Sequence, residues 1–429
     1  MVNIPSHLPK KLAISFWIWA PISVRKNNPY LDFDKTMTEL RERSYNCVRI
    51  ESAAGFTHDK NGTPRGNVRV HASFGGHEQF VRQNETVDNG LCNCLERLVD
   101  LFENAKKHNV YVILSSWFFL HTYWMMDEAI TKSILDLHPD QYFQFFAEQY
   151  DLILKELKAR NLEKQLAFLE LQNEVDGLSF IRKATGFQND EDKYNHFRIL
   201  HEKAIGWLRQ RHPDILVGYD TQTMKTHQAL MPRNAQVWNA HTYYMWPVYG
   251  VFEQGLLSKN IDMNDPESFK HVRPFLRDDY VPFTEILKTR EGLLDAGVGW
   301  TRRVWLYRNL DPDKIPQLEK ILENQLELDA PNFRREADEQ VQSAVSIRDK
   351  ILPGVPLVYS EGSTYCASNL LSWEERSDTY WKTLEHMTRR LAENNFWGYV
   401  PRTNGGPDDR AWKEYPQRLK YLNELFLSL

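Results

Sequence analysis

Cysteine is scarce: the 429 residues include only Cys47, Cys92, Cys94 and Cys366. Two of them form the C-x-C of "LCNCLE", too tightly spaced for the usual zinc knuckle and with no histidine nearby. A disulfide framework and a structural zinc site are therefore not indicated, and reduced, partly buried thiols are expected. Long apolar runs are missing as well, so no segment reads as a membrane span. The opening "MVNIPSHLPKKLAIS" has neither the apolar stretch nor the small-residue cleavage pattern of a secretory leader, and a cytoplasmic location is expected. A secreted chain already trimmed of its leader would read the same way.

Charge of one sign is also lacking. Against 53 basic residues stand 58 acidic ones, a formal net charge of −5 spread along the chain. A nucleic-acid partner, which calls for a basic stripe, is not expected. There is no H-E-x-x-H and no tight His/Asp cluster, and no G-x-S-x-G elbow, so zinc-dependent and serine-nucleophile hydrolysis have no support. Neither a metal nor a cofactor is called for. No repeat of solenoid period is visible.

What the chain has is apolar mass and aromatic faces: 42% hydrophobic residues, 13% aromatic, and 13 tryptophans, more than packing alone usually requires. Strand-like runs alternate with helix-like runs throughout. The strands are read at 11–20, 45–52, 110–118, 166–174, 215–223, 235–244, 355–363 and 395–400. Helical spacing covers 32–44, with Asp32 as N-cap, and 90–109, 139–160, 192–212, 374–394 and the C-terminal stretch. Strand–helix alternation favours a parallel sheet with helices outside it. Eight strands suit an α/β fold of the (β/α)₈ TIM-barrel type, with an open doubly wound sheet as the competitor. Long connections at 53–89 and 245–335 read as insertions after strands two and six. Both would lie on the C-terminal face, where barrels carry function. The expected organisation is one domain over 1–429, with 245–335 walling the pocket as a helical and loop insertion.

Strand four, "LAFLELQNEVDG", starts apolar and ends in amides and acids. Alternation puts Glu170, Gln172 and Glu174 on one face and Leu169 and Leu171 on the other. The leucines would meet the surrounding helices, leaving the polar set inside the barrel. Strand seven, "PLVYSEGS", likewise delivers Glu361 at its end. A lone strand-end glutamate is ordinarily one half of a salt bridge, but two facing each other across a barrel suit double displacement at a sugar carbon. One protonates the leaving oxygen while the other attacks from the opposite face, with carboxyls about 5 to 5.5 Å apart. Glu170 reads as the partner of an arginine, and His7, His58 and His71 as solvated.

These elements resemble glycoside hydrolase clan A, and its family 5 cellulase-like enzymes in particular. "LQNEVDG" is similar to the clan's strand-four Asn-Glu signature, and "VYSEGS" to the strand-seven element carrying its nucleophile. "YNCVRIES" resembles the strand-two arginine segment, and "NAHTYYMW" the strand-six His-x-Tyr element. The resemblance covers nearly the whole chain, in the expected order. It implies Glu174 as acid/base, Glu361 as nucleophile, Asn173 against the sugar 2-hydroxyl, Arg49 steadying the nucleophile, and His241 and Tyr243 beside them. Two departures stand out. The family's strand-three histidine is replaced by Trp117, with His121 later, and strand eight carries Trp397 followed by Arg402 and Asn404. Trp117, Trp246, Trp373 and Trp397 are candidate substrate contacts, with Trp17, Trp19, Trp124 and Trp300 as further pocket walls.

The function this implies is a retaining glycoside hydrolase cleaving β-glycosidic bonds of oligosaccharides, exo-acting because of its insertions. The alternatives are an endo-acting cellulase- or mannanase-like enzyme and a catalytically silent carbohydrate-binding protein on the same barrel. Its partner would be an oligosaccharide or glycoside, not a membrane; nothing in the sequence bears on oligomeric state.

Overall fold

The computed structural model describes residues 2–71, 89–117, 125–253, 265–286, 302, 305–364, 370–403 and 405–429. His121, Trp124, Trp300, Cys366 and Asn404 lie outside them. Eight strands close into one parallel barrel: β1 (Leu12–Phe16), β2 (Cys47–Glu51), β5 (Tyr111–Ser115), β6 (Leu166–Glu170), β7 (Val217–Thr221), β8 (Val237–Ala240), β9 (Leu357–Tyr359) and β10 (Gly398–Tyr399). Each pairs with the next along the chain, and β10 closes onto β1 through Leu12 and Ala13. Every barrel strand falls inside a stretch that sequence marked as a strand, so the closed barrel stands and the open sheet does not.

Between β2 and β5 a small antiparallel hairpin, β3 (Asn67–Val70) with β4 (Gly90–Asn93), lies apart from the barrel. It takes the first residues expected to be helical; the helix runs from Cys94 to His108, capped by Asn93, which accepts from the Glu96 N–H. The outer helices are amphipathic and cover the strands. Asp32 caps the helix Phe33–Glu42 as expected, accepting from the Lys35 N–H. Of the stretch 245–335, the end from Ile315 onward already belongs to the long helix Ile315–Ile351, which precedes β9. No helix among the described residues is long and apolar enough to cross a membrane.

The barrel interior is layered. Its floor is apolar: Leu12, Ile14, Cys47, Ile113, Phe168, Val237, Val358 and Trp397 form one buried cluster. Above it sits a polar storey of Arg49, Glu170, Asp220 and Asn239, all fully buried. Gly218 makes room there, since a Cβ on it would meet Phe168 at 3.1 Å and Glu170 at 3.5 Å. Polarity thus rises toward the C-terminal ends of the strands, the end where barrels hold their sites.

Candidate active site

On β6 the regular strand ends at Glu170, which points inward, while Leu169 and Leu171 join the outer core. Alternation does not carry Glu174 into the site. The backbone there turns into the left-handed region, with φ +47° and ψ +57°, rare for a residue with a Cβ. Asn173 and Glu174, adjacent in sequence, consequently both reach Arg49 or its neighbours. On β9 the matching turn uses Gly362; a Cβ there would fall 2.0 Å from Tyr359 Oη and 2.2 Å from Thr242 O, so only glycine fits.

Arg49 is the hub. Its Nη1 donates to Glu361 Oε1 at 2.5 Å, and Nη2 lies within hydrogen-bonding reach of Asn173 Oδ1 at 2.7 Å, Asp220 Oδ2 at 2.9 Å and Glu170 Oε2 at 3.0 Å. Glu170 is thus an arginine partner, as the sequence suggested. The Trp117 ring covers the guanidinium at 4.4 Å. Tyr243 Oη donates to the other Glu361 oxygen at 2.7 Å. His241 Nδ1 lies 3.1 Å from Glu174 Oε1 and 3.8 Å from Glu361 Oε2, while its Nε2 stands 2.9 Å from Asp220 Oδ2. That last contact is a close ion pair without straight hydrogen-bond geometry. Gln222 Nε2 donates to Glu174 Oε2 at 3.3 Å, with Gln222 held in turn by Arg182 at 3.0 Å. An oxygen from each of Glu174 and Glu361 and a nitrogen of His241 lie within 4.8 Å of one another.

The electrostatics separate the groups. Burial pushes Glu174 up to about 7, helped by the negative charges of Glu361 and Asp220 and opposed by the bond from His241. Burial would by itself depress His241, but the Asp220 and Glu361 charges outweigh it and hold the imidazole well above its usual value. Burial likewise raises Glu170 to about 7 against the pull of Arg49. Glu174 can therefore keep a proton near neutral pH, and Glu361 accepts from both Arg49 and Tyr243.

Glu174, His241 and Glu361 are spaced as three metal ligands could be, and a metal there would have to displace the proton that the Asp220 and Glu361 charges favour on the imidazole.

The expected tryptophans divide. Trp246 is 38% exposed at the turn after Tyr243. Trp117 is 1% exposed and acts as a wall over Arg49, packed on Phe16 and Trp19. Trp373 is fully buried against Tyr249 and offers no face to a ligand. Trp397 lies on the barrel floor against Phe168, its indole N–H bound to Pro9 O, at the wrong end for the carboxylates. Arg402, which follows Trp397 on the chain, is fully buried and turns to Glu374 and Glu375, at 3.2 and 2.8 Å. Trp17 is core, bonded to Ser15 Oγ, and His58 is buried on Thr57 instead of solvated. Asp220 and Asn239 were missed; their signal was a polar residue on the inward face of an otherwise apolar strand.

No protein-family model matches the chain, and no curated protein does. Among solved structures it is similar to a Parabacteroides distasonis protein provisionally described as a glycoside hydrolase, with TM-score 0.61 and 17% identity over 97% of this chain and 93% of that one. It is similar to a family 5, subfamily 4 broad-specificity endoglucanase of Clostridium longisporum, with TM-score 0.50 and 10% identity over 100% and 99%. A tri-modular family 5, subfamily 4 endo-β-1,4-glucanase of Bacillus licheniformis gives TM-score 0.51 and 12% identity, over 97% of this chain and 59% of that one. At such identities the shared property is the barrel fold.

Proposed function

We propose that this chain is a glycoside hydrolase that cleaves β-glycosidic bonds with retention of configuration. Glu174 gives its proton to the glycosidic oxygen as that bond breaks, and Glu361 attacks the anomeric carbon to form a glycosyl ester. Glu174, now ionised, takes a proton from water, whose oxygen displaces Glu361 from the sugar. The observation that carries the reading is the spacing: an oxygen of each carboxyl within 4.8 Å of the other, on the turns after β6 and β9 at one buried mouth. Inverting hydrolysis needs room for an interposed water and carboxyls about 6.5 to 9.5 Å apart. Asn173, held by Arg49, would meet the 2-hydroxyl, and Trp246 would carry a sugar face.

The burial of both acids, 8% and 5% exposed, supports a narrow exo-acting pocket walled by the segment after β8. The endoglucanase relatives of the same fold favour an endo-acting cleft as the second reading. Product length on an oligosaccharide series separates the two: single sugars from the outset for exo action, mixed lengths for endo.

A panel of aryl β-glycosides, with an α-L-arabinofuranoside included, first identifies the sugar. Glu361→Ala then abolishes turnover of that substrate, and azide restores it as the glycosyl azide of inverted configuration. Undiminished turnover in that variant would remove Glu361 from the mechanism.

A further inference from the structure

We propose that Asp220 is a positioning residue for the proton donor, one carboxylate that fixes both the left-handed turn of Glu174 and the orientation of the His241 ring beside it. The inference rests on the reading of Glu174 as the acid. Asp220 stands on β7 with no solvent exposure. Its Oδ1 accepts the Glu174 backbone N–H at 2.5 Å, at the residue whose φ of +47° brings its carboxyl to face Glu361. Its Oδ2 receives Arg49 Nη2 at 2.9 Å and Asn239 Nδ2 at 2.7 Å, and lies 2.9 Å from His241 Nε2.

Three hydrogen bonds and one ion pair, from three segments (β2, the turn after β6 and the end of β8), converge on this one side chain, and an acceptor-only group suits them all. An asparagine could still accept from Glu174 N–H, but its NH₂ would then face the Arg49 and His241 donors. Anchoring His241 through Nε2 leaves Nδ1 aimed at Glu174 Oε1, the other ring nitrogen being set by its partner. The charged groups around Asp220 are Arg49 and His241 on one side and the acids Glu170, Glu174 and Asp176 on the other, with Glu361 across Arg49. Asp220 has no solvent exposure, so it acts through the groups it touches, Glu174 and His241 beside the proton donor among them.

Two measurements test this, both on the full chain. In wild type, histidine ring ¹⁵N spectra show His241 keeping both nitrogens protonated well above the ordinary value of about 6.5. In Asp220→Asn the ring loses its proton at a lower pH than in wild type. A wild-type His241 that loses its proton near pH 6.5, the ordinary value, overturns the proposal, and that arm requires neither a folded variant nor turnover. Kinetically, Asp220→Asn lowers kcat/KM about a hundredfold or more for poor phenolic leaving groups, which need the acid, and less than about tenfold for dinitrophenyl glycosides, which do not. KM stays near wild type. Equal losses across leaving groups, or none, overturn the positioning role while the glycosidase reading stands. If wild type cleaves no glycoside, that reading fails by itself, and the His241 spectra still decide the Asp220 arrangement.

Discussion

Glu174 and Glu361 carry the same functional group and are made different by what touches them. Glu361 receives a guanidinium and a phenol; Glu174 receives burial, two neighbouring negative charges and an imidazole. A donor held near 7 is protonated below that pH and lost above it, so kcat/KM for substrates with poor leaving groups declines as pH rises through about 7. Glu174→Ala removes that basic limb. Its rate falls by about 10² to 10⁴ on poor leaving groups and far less on dinitrophenyl glycosides, as measured across a leaving-group series. At this scale Glu174, Glu361 and Arg49 were legible because each ends or lines a strand in a recognisable motif. Asp220 was not: in "ILVGYDTQT" a buried aspartate reads like a strand surfacing into a loop, and only closure of the barrel turns it toward Arg49. Trp397 misled for the converse reason. Its strand is just Gly398–Tyr399, too short for alternation to say which end of the barrel its neighbour occupies.

Elements were more legible than directions. The barrel strands announced themselves as short apolar runs between amphipathic helices. The β3–β4 hairpin did not, because its two halves are separated by the long polar stretch 71–89 and only Val68 and Val70 alternate inward. The helix Asp190–Arg211 holds a further consequence in His201, stacked on Phe143 at 4.2 Å with both ring nitrogens buried and without hydrogen bonds among the described residues. Burial lowers it to about 3. With the folded value below the unfolded one of about 6.5, the unfolded chain binds the extra proton, so the folded state is fully stable above 6.5 and loses stability as pH falls toward 3. Between pH 6.5 and 5 the loss from this one group is about 2 kcal/mol. His201→Phe flattens the acid side of the stability profile by that amount in urea unfolding; an unchanged slope would show that the histidine is solvated or paired.

Across the whole molecule the order is vertical: an apolar floor, a storey of paired charges, and a mouth where two acids meet. The floor and outer core supply the burial that makes ionised carboxylates costly, and the storey of Arg49, Glu170, Asp220 and Asn239 restricts which of them stay charged. Removing one member of such a buried set leaves its partners unpaired, a loss of about 3 to 5 kcal/mol. The central claim, that Glu174 and Glu361 act on opposite sides of one sugar ring, is tested most directly by the stereochemistry of the first product. Proton NMR of an aryl β-glycoside digest, recorded before mutarotation, will show the β-anomer appearing first. Initial release of the α-anomer would contradict the account.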